Sequence, residues 1–202
     1  MERKINVAVL VSGGGTNLQA IIDFAKAGQL ESGKLVKVIS SKDGVFALER
    51  AKNAGISQAV VEKKGKTQKE FEAGLIAELE NVGAEVIVLA GFMCILSKEF
   101  TDKYKDRIIN VHPSLIPSFC GEGFYGLKVH EAALGYGVKV TGATVHFVNE
   151  IPDGGKIIMQ KAVEIQDGDT PEVLQKRVME QAEWKILPAS LEKVCKDLLK
   201  GE

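Results

Sequence analysis

The sequence predicts an α/β fold: a Rossmann-like, mostly parallel sheet with an antiparallel C-terminal extension and a long C-terminal helix. Three observations carry this. Apolar runs alternate with amphipathic segments over residues 1–110. Two longer strand-like runs then flank the turn Pro152-Asp153-Gly154-Gly155. A helical pattern fills Thr170 to Leu199. The 202 residues suit one domain, expected over 1–202, with a β-α half (1–110) and an extension (111–202).

Ile5–Val11 is a near-continuous apolar run, as in a strand covered on both faces. Asn17–Ala27 follows as a helix with Leu18, Ile21, Ile22 and Ala25 on one face. Leu35–Ser40 reads as a second strand, Val45–Ala54 as a second helix and Gln58–Val61 as a short strand. Thr67–Asn81 is a helix in which Thr67 and Glu70 form a capping-box pattern and Phe71, Leu75, Ile76 and Leu79 a stripe. Glu85–Ala90 is a further buried strand, Ser97–Tyr104 a short helix, and Ile108–Val111 a strand stopped by Pro113. Val129–Leu134 is helical. Val140–Val148 and Lys156–Ile165 are strands whose tight connection favours an antiparallel pair. Thr170 caps the last helical stretch, Pro171 opens it, and Pro188 is expected to break or kink it.

Lysine and arginine total 26 against 27 acidic residues, a net charge of −1 that does not suit a nucleic-acid binder. Ile5–Val11 is too short to span a membrane and runs into glycines, not a cleavage site, so a cytoplasmic location is expected. Cys94, Cys120 and Cys195 lie far apart without a Cys-x-x-Cys pair, which argues against disulfides and a zinc site and for reduced, mostly buried thiols.

Ser12-Gly13-Gly14-Gly15-Thr16-Asn17 joins the first strand to the first helix. Glycines let backbone N–H groups approach an anion, the helix start adds partial positive charge, and Thr16 or Asn17 can donate or cap. A phosphate site is one reading and a tight turn the other. The dinucleotide fingerprint is absent because the third glycine position is Leu18, and no Gly-Lys-Ser/Thr follows. In Asn110-Val111-His112-Pro113, Asn110 and His112 share a face at the carboxyl end of a strand. They suit oxyanion stabilisation and proton transfer, or equally a hydrogen-bonded strand end. Asp153 alone reads as a turn residue. His130 is expected at the surface or partly buried, His146 as a structural histidine, and Lys63, Lys64, Lys66 and Lys69 as a solvated face, the other reading being a patch that attracts an anionic ligand tail.

Taken together, Ser12–Asn17, Leu18-Gln19-Ala20-Ile21, Leu89-Ala90-Gly91-Phe92-Met93, Asn110–Pro117, and His146-Phe147-Val148 followed by Asp153-Gly154-Gly155 resemble the phosphoribosylglycinamide formyltransferase family. The resemblance covers nearly the whole chain in order. It implies the formyltransferase fold and transfer of a formyl group from 10-formyltetrahydrofolate, a cosubstrate, to the amine of glycinamide ribonucleotide in purine synthesis. Asn110, His112 and Asp153 match the family's catalytic residues. Gly14, Gly15, Thr16 and Asn17 match the site for the substrate phosphate, and Glu183 a glutamate that binds the ribose hydroxyls. Met93, Cys94, Ile95 and Leu96, with the Asn149–Asp153 loop, match the folate pocket, to which Asn110 also contributes. Lys69 falls where some members place an arginine near the substrate phosphate and folate tail. Residues 1–110 thus become a phosphate-binding half and 111–202 a catalytic and folate-binding extension.

The resemblance implies small-molecule partners, no nucleic acid or membrane, a monomer or homodimer, and no metal, since side chains polarise the carbonyl. This sequence departs from the family's pattern in three places: Cys94 replaces a common arginine, Ser118–Gly126 is longer than in the shortest members, and one extra residue precedes Glu183. Methionyl-tRNA formyltransferase and formyltetrahydrofolate hydrolase share the catalytic stretch. The first normally carries an added C-terminal domain, whereas this chain ends at Glu202. The second usually carries an N-terminal one, whereas the first strand starts at Ile5. A phosphate-binding module without catalysis is the alternative from another class.

Overall fold

The computed structural model describes residues 3–201. Its elements are β1 (Ile5–Val11), α1 (Thr16–Lys26), β2 (Gly33–Ser40), α2 (Phe46–Asn53), β3 (Ser57–Val60), α3 (Gln68–Asn81), β4 (Val86–Leu89), α4 (Lys98–Lys103) and β5 (Ile108–His112). They continue with α5 (Leu127–Tyr136), β6 (Val140–Phe147), β7 (Ile157–Glu164), α6 (Pro171–Val178), a π turn (Met179–Glu183) and α7 (Trp184–Lys200). The predicted boundaries agree to within a few residues.

The strands form one sheet in the order β3-β2-β1-β4-β5-β6-β7. Pairing is parallel from β3 through β5 and antiparallel from β5 to β7, as the sequence predicts. The chain winds outward from β1 to β3, then crosses back to add β4 and β5. The order therefore reverses between β1 and β4, where such sheets bind ligands beyond the strand ends.

Alternation along β1 divides the core. Ile5, Val7, Val9 and Val11 face α1, α2, α6 and α7, while Ala8 and Leu10 face α3 and α4. The Thr67–Glu70 capping box is formed, and Phe71, Leu75 and Leu79 are buried beneath it. Ile76 is only partly buried against that cluster.

Pro188 does not break the last helix; α7 runs through it. The discontinuity lies one turn earlier, at the π turn, where the Trp184 N–H bonds to the Met179 carbonyl. A proline has no N–H to give the carbonyl four residues back, here Trp184, and its ring must clear that carbonyl.

Candidate active site

β5 ends in the site. Asn110 stands opposite His146 on β6, and His112 opposite Thr144. Facing residues of an antiparallel pair are side-chain neighbours. Asn110 Nδ2 accordingly lies 3.3 Å from His146 Nε2. Asp153 reaches the same place from the β6–β7 connection. Its Oδ2 is 3.3 Å from His112 Nδ1 and accepts the Gly121 N–H at 2.9 Å. Its Oδ1 is 3.5 Å from His146 Nε2. Asp153 takes a left-handed conformation, φ 56°, which aspartate tolerates better than most side chains. Gly155 fixes the path of this connection, because a Cβ there would lie 1.7 Å from the Phe147 carbonyl oxygen.

Partners set the tautomers, since a carbonyl only accepts. His112 Nε2–H donates to the Phe119 carbonyl at 2.8 Å, leaving Nδ1 toward Asp153. His146 Nδ1–H donates to the Phe147 carbonyl at 2.7 Å, leaving Nε2 toward Asn110 and Asp153. Burial pulls the His112 pKa down and outweighs the opposing pull of Asp153 and the Phe119 carbonyl. The pairing is present, but desolvation wins. Burial pushes the Asp153 carboxyl up, yet His146 and His112 beside it and the Gly121 amide together hold it below its ordinary value.

A cavity of about 840 Å³ runs along these groups, within the range of ligand sites. Asn110, His112 and Asp153 share its wall with Asn17 and Glu183, and with Met93, Cys94 and Ile95. Leu96 and Asn149 line an adjoining smaller cavity. Asn17 Nδ2 donates to Glu183 Oε2 at 2.8 Å, which ties α1 to the π turn. Burial pushes the Glu183 carboxyl up to about 7, against the Asn17 hydrogen bond.

The glycine loop folds back on α2: Gly14 O accepts the Arg50 Nε–H at 2.8 Å and Gly13 O the Ala47 N–H at 3.2 Å. Neither Thr16 nor Asn17 caps α1. The N-cap is Gly15 at φ 72°, without a side-chain hydrogen bond, so the first amides of the helix lack a side-chain acceptor. Thr16 faces a separate cavity beside Trp184, and Lys69 is exposed on α3, outside the walls of both site cavities.

The formyl transferase family model matches residues 5–191, most of the chain. The chain belongs to the formyl transferase family. A relative from Haemophilus influenzae, named phosphoribosylglycinamide formyltransferase, is 41% identical over 183 residues, which is 90% of this chain and 83% of that protein. The human trifunctional purine biosynthetic protein adenosine-3 is 45% identical over 195 residues, 96% of this chain. The chain spans only 12–19% of such trifunctional relatives. Among solved structures, glycinamide ribonucleotide transformylase 1 from Symbiobacterium toebii superposes with a TM-score of 0.89 at 37% identity, covering 96% of this chain and 88% of that one.

Two features of the site escape a reading by motif. His146 stands against both Asn110 and Asp153, and only the β5–β6 register reveals it. Phe119, at φ 49°, turns its carbonyl onto His112, a backbone contact that no side-chain pattern encodes. His130 is fully buried, with no hydrogen-bond partner on either ring nitrogen among the described residues. Burial takes its pKa down to about 4. All three cysteines are free, with Cys195 buried and Cys94 and Cys120 partly so. Among the described residues no group of three or more His, Cys, Asp or Glu is placed to hold a metal, and no helix is long and apolar enough to cross a membrane.

Proposed function

We propose that this chain transfers the formyl group of 10-formyltetrahydrofolate to the amine of glycinamide ribonucleotide, giving formylglycinamide ribonucleotide and tetrahydrofolate in purine synthesis. The observation that carries the reading is the meeting of Asn110, His112 and Asp153 on the wall of one cavity that the Asn17–Glu183 pair and Met93–Ile95 also line. The names of the relatives agree with it. In this reading the chain acts as one domain over residues 1–202. Residues 1–110 bind the ribonucleotide phosphate through Gly14, Gly15, Thr16 and Asn17, and Glu183 takes the ribose hydroxyls. Met93–Leu96 and Asn149–Asp153 receive the folate ring system. The partners are small molecules, and the expected compartment is the cytoplasm.

The neutral amine adds to the formyl carbon and forms a C–N bond and an oxyanion. Asn110 has a second N–H free of His146 and donates it to that oxygen. His112 contributes in its protonated form. The developing negative charge offsets the burial that pulls its pKa down, and Asp153 then accepts from Nδ1. For Nε2–H to reach the formyl oxygen it must leave the Phe119 carbonyl. The attacking nitrogen loses a proton, the folate nitrogen gains one, and the bond to that nitrogen breaks. Holding two ligands in attack geometry supplies much of the acceleration.

The test offers 10-formyltetrahydrofolate with glycinamide ribonucleotide, with Met-tRNA, or with no acceptor, and follows tetrahydrofolate release. Release only with the ribonucleotide is expected. Release without an acceptor points to a hydrolase, and release only with Met-tRNA overturns the acceptor assignment.

A further inference from the structure

The segment between β4 and α4 presents Met93 and Ile95 to solvent at 58% and 67% exposure, while Leu96 is anchored at 6%. Exposed apolar side chains on an irregular loop are a poor ligand surface unless the backbone is held, because ordering a loop on binding costs conformational entropy. Here it is held at alternate residues. The Met93 N–H donates to Ser12 Oγ at 2.9 Å, and Ser12 in turn shares a 2.6 Å hydrogen bond with Ser41. The Ile95 carbonyl accepts from Gln68 Nε2 at 3.0 Å. The Ser97 N–H donates to Glu72 Oε1 at 2.6 Å.

Glu72 is the hub. Its side chain also accepts the Ser97 hydroxyl at 2.6 Å and Gln68 Nε2 at 2.6 Å. It is 6% exposed on the buried face of α3, among Phe71, Leu75 and Leu79. A carboxyl group in that stripe costs stability unless its oxygens are satisfied, and all three of these donors are neutral. The helix spends one core position on an acceptor aimed at the loop.

We infer that Glu72, with Gln68, is a positioning residue that pre-forms the Met93–Leu96 wall for the flat ring system of the folate. This rests on the folate reading above. Neither side chain lines the cavity; both act through the backbone at positions 95 and 97. Ser12 adds a tether from the glycine loop across the β1–β4 switch point, so the two half-sites share one hydrogen-bonded frame.

The test measures binding of tetrahydrofolate and of glycinamide ribonucleotide by calorimetry, together with KM for both substrates, in the wild-type chain and in Glu72→Leu, Glu72→Gln and Gln68→Ala. Glu72→Leu is expected to weaken folate binding about tenfold, the scale of one lost charged-group hydrogen bond, with ribonucleotide affinity and kcat held within about twofold. Glu72→Gln keeps an acceptor for Ser97 N–H and recovers most of the loss. If Glu72→Leu fails to fold, Gln68→Ala on the helix surface still reads the Ile95 tether, with folate affinity expected to fall about threefold. Equal changes in both affinities, or none in a folded variant, overturn the inference. A wild-type chain that binds tetrahydrofolate but transfers no formyl group sinks the activity alone, and the affinity comparison still decides the positioning role. A wild-type chain that binds no folate overturns both.

Discussion

Replacing Glu183 by glutamine isolates the energetics of one buried carboxyl. Glu183 is 6% exposed at the end of the π turn and receives one hydrogen bond, from Asn17. Burial raises its pKa from an ordinary 4.5 to about 7 in the folded chain, which at 1.36 kcal/mol per pH unit corresponds to about 3 kcal/mol. The sign follows from proton binding. Between those two values the folded chain holds a proton that the unfolded chain has released. The stabilisation is fully present below the unfolded value and is lost as pH rises through about 7. Glutamine mimics the protonated carboxyl, still accepts from Asn17, and does not titrate. Urea unfolding across pH 5–8 should therefore show the Gln variant more stable than wild type by about 3 kcal/mol at pH 8 and by less than about 1 kcal/mol at pH 5. In the proposed function the same variant weakens ribonucleotide binding, because one oxygen acceptor for the ribose hydroxyls is gone. Parallel stability curves for the two proteins would refute the argument that burial, with a single hydrogen bond, governs this group.

Other outcomes follow from the same structure. His112→Ala and Asp153→Asn should each lower kcat by roughly 10²–10⁴ while moving the urea midpoint little, with folate release as the assay. Asparagine also tolerates the φ of 56° at position 153, which keeps the fold out of that comparison. Phe71→Ala, at a fully buried position, should cost about 3–5 kcal/mol of unfolding free energy in urea. Gly15→Ala combines φ 72° with a new Cβ 2.7 Å from Ala47 Cβ, so it should lower Tm and raise the KM for the ribonucleotide more than the KM for the folate.

Features written within a few residues were readable from the sequence. The capping box at Thr67–Glu70, the apolar run of β1 and the Pro171 helix start are local, and the structure forms each as the chain suggests. Asn110 and His112 share a face because strand geometry alone puts them there. What was not readable depends on chain segments meeting across distance. His146 becomes part of the site through the register of β6 on β5, and Asp153 through a connection whose path Gly155 sets. Glu72 sits where a helix stripe predicts only core, and its role appears once the loop after β4 is laid over α3. At Pro188 the expected break does not occur: α7 runs through it, and the π turn of Met179–Glu183 stands one turn earlier.

The central claim is direct passage of one carbon from folate to the ribonucleotide amine. The most direct test incubates the protein with 10-formyltetrahydrofolate carrying a ¹³C-formyl group and with glycinamide ribonucleotide, then reads the products by mass spectrometry. The account predicts labelled formylglycinamide ribonucleotide in equal amount to the tetrahydrofolate formed, and its loss in a folded His112→Ala protein. Labelled formate with unmodified ribonucleotide would contradict it.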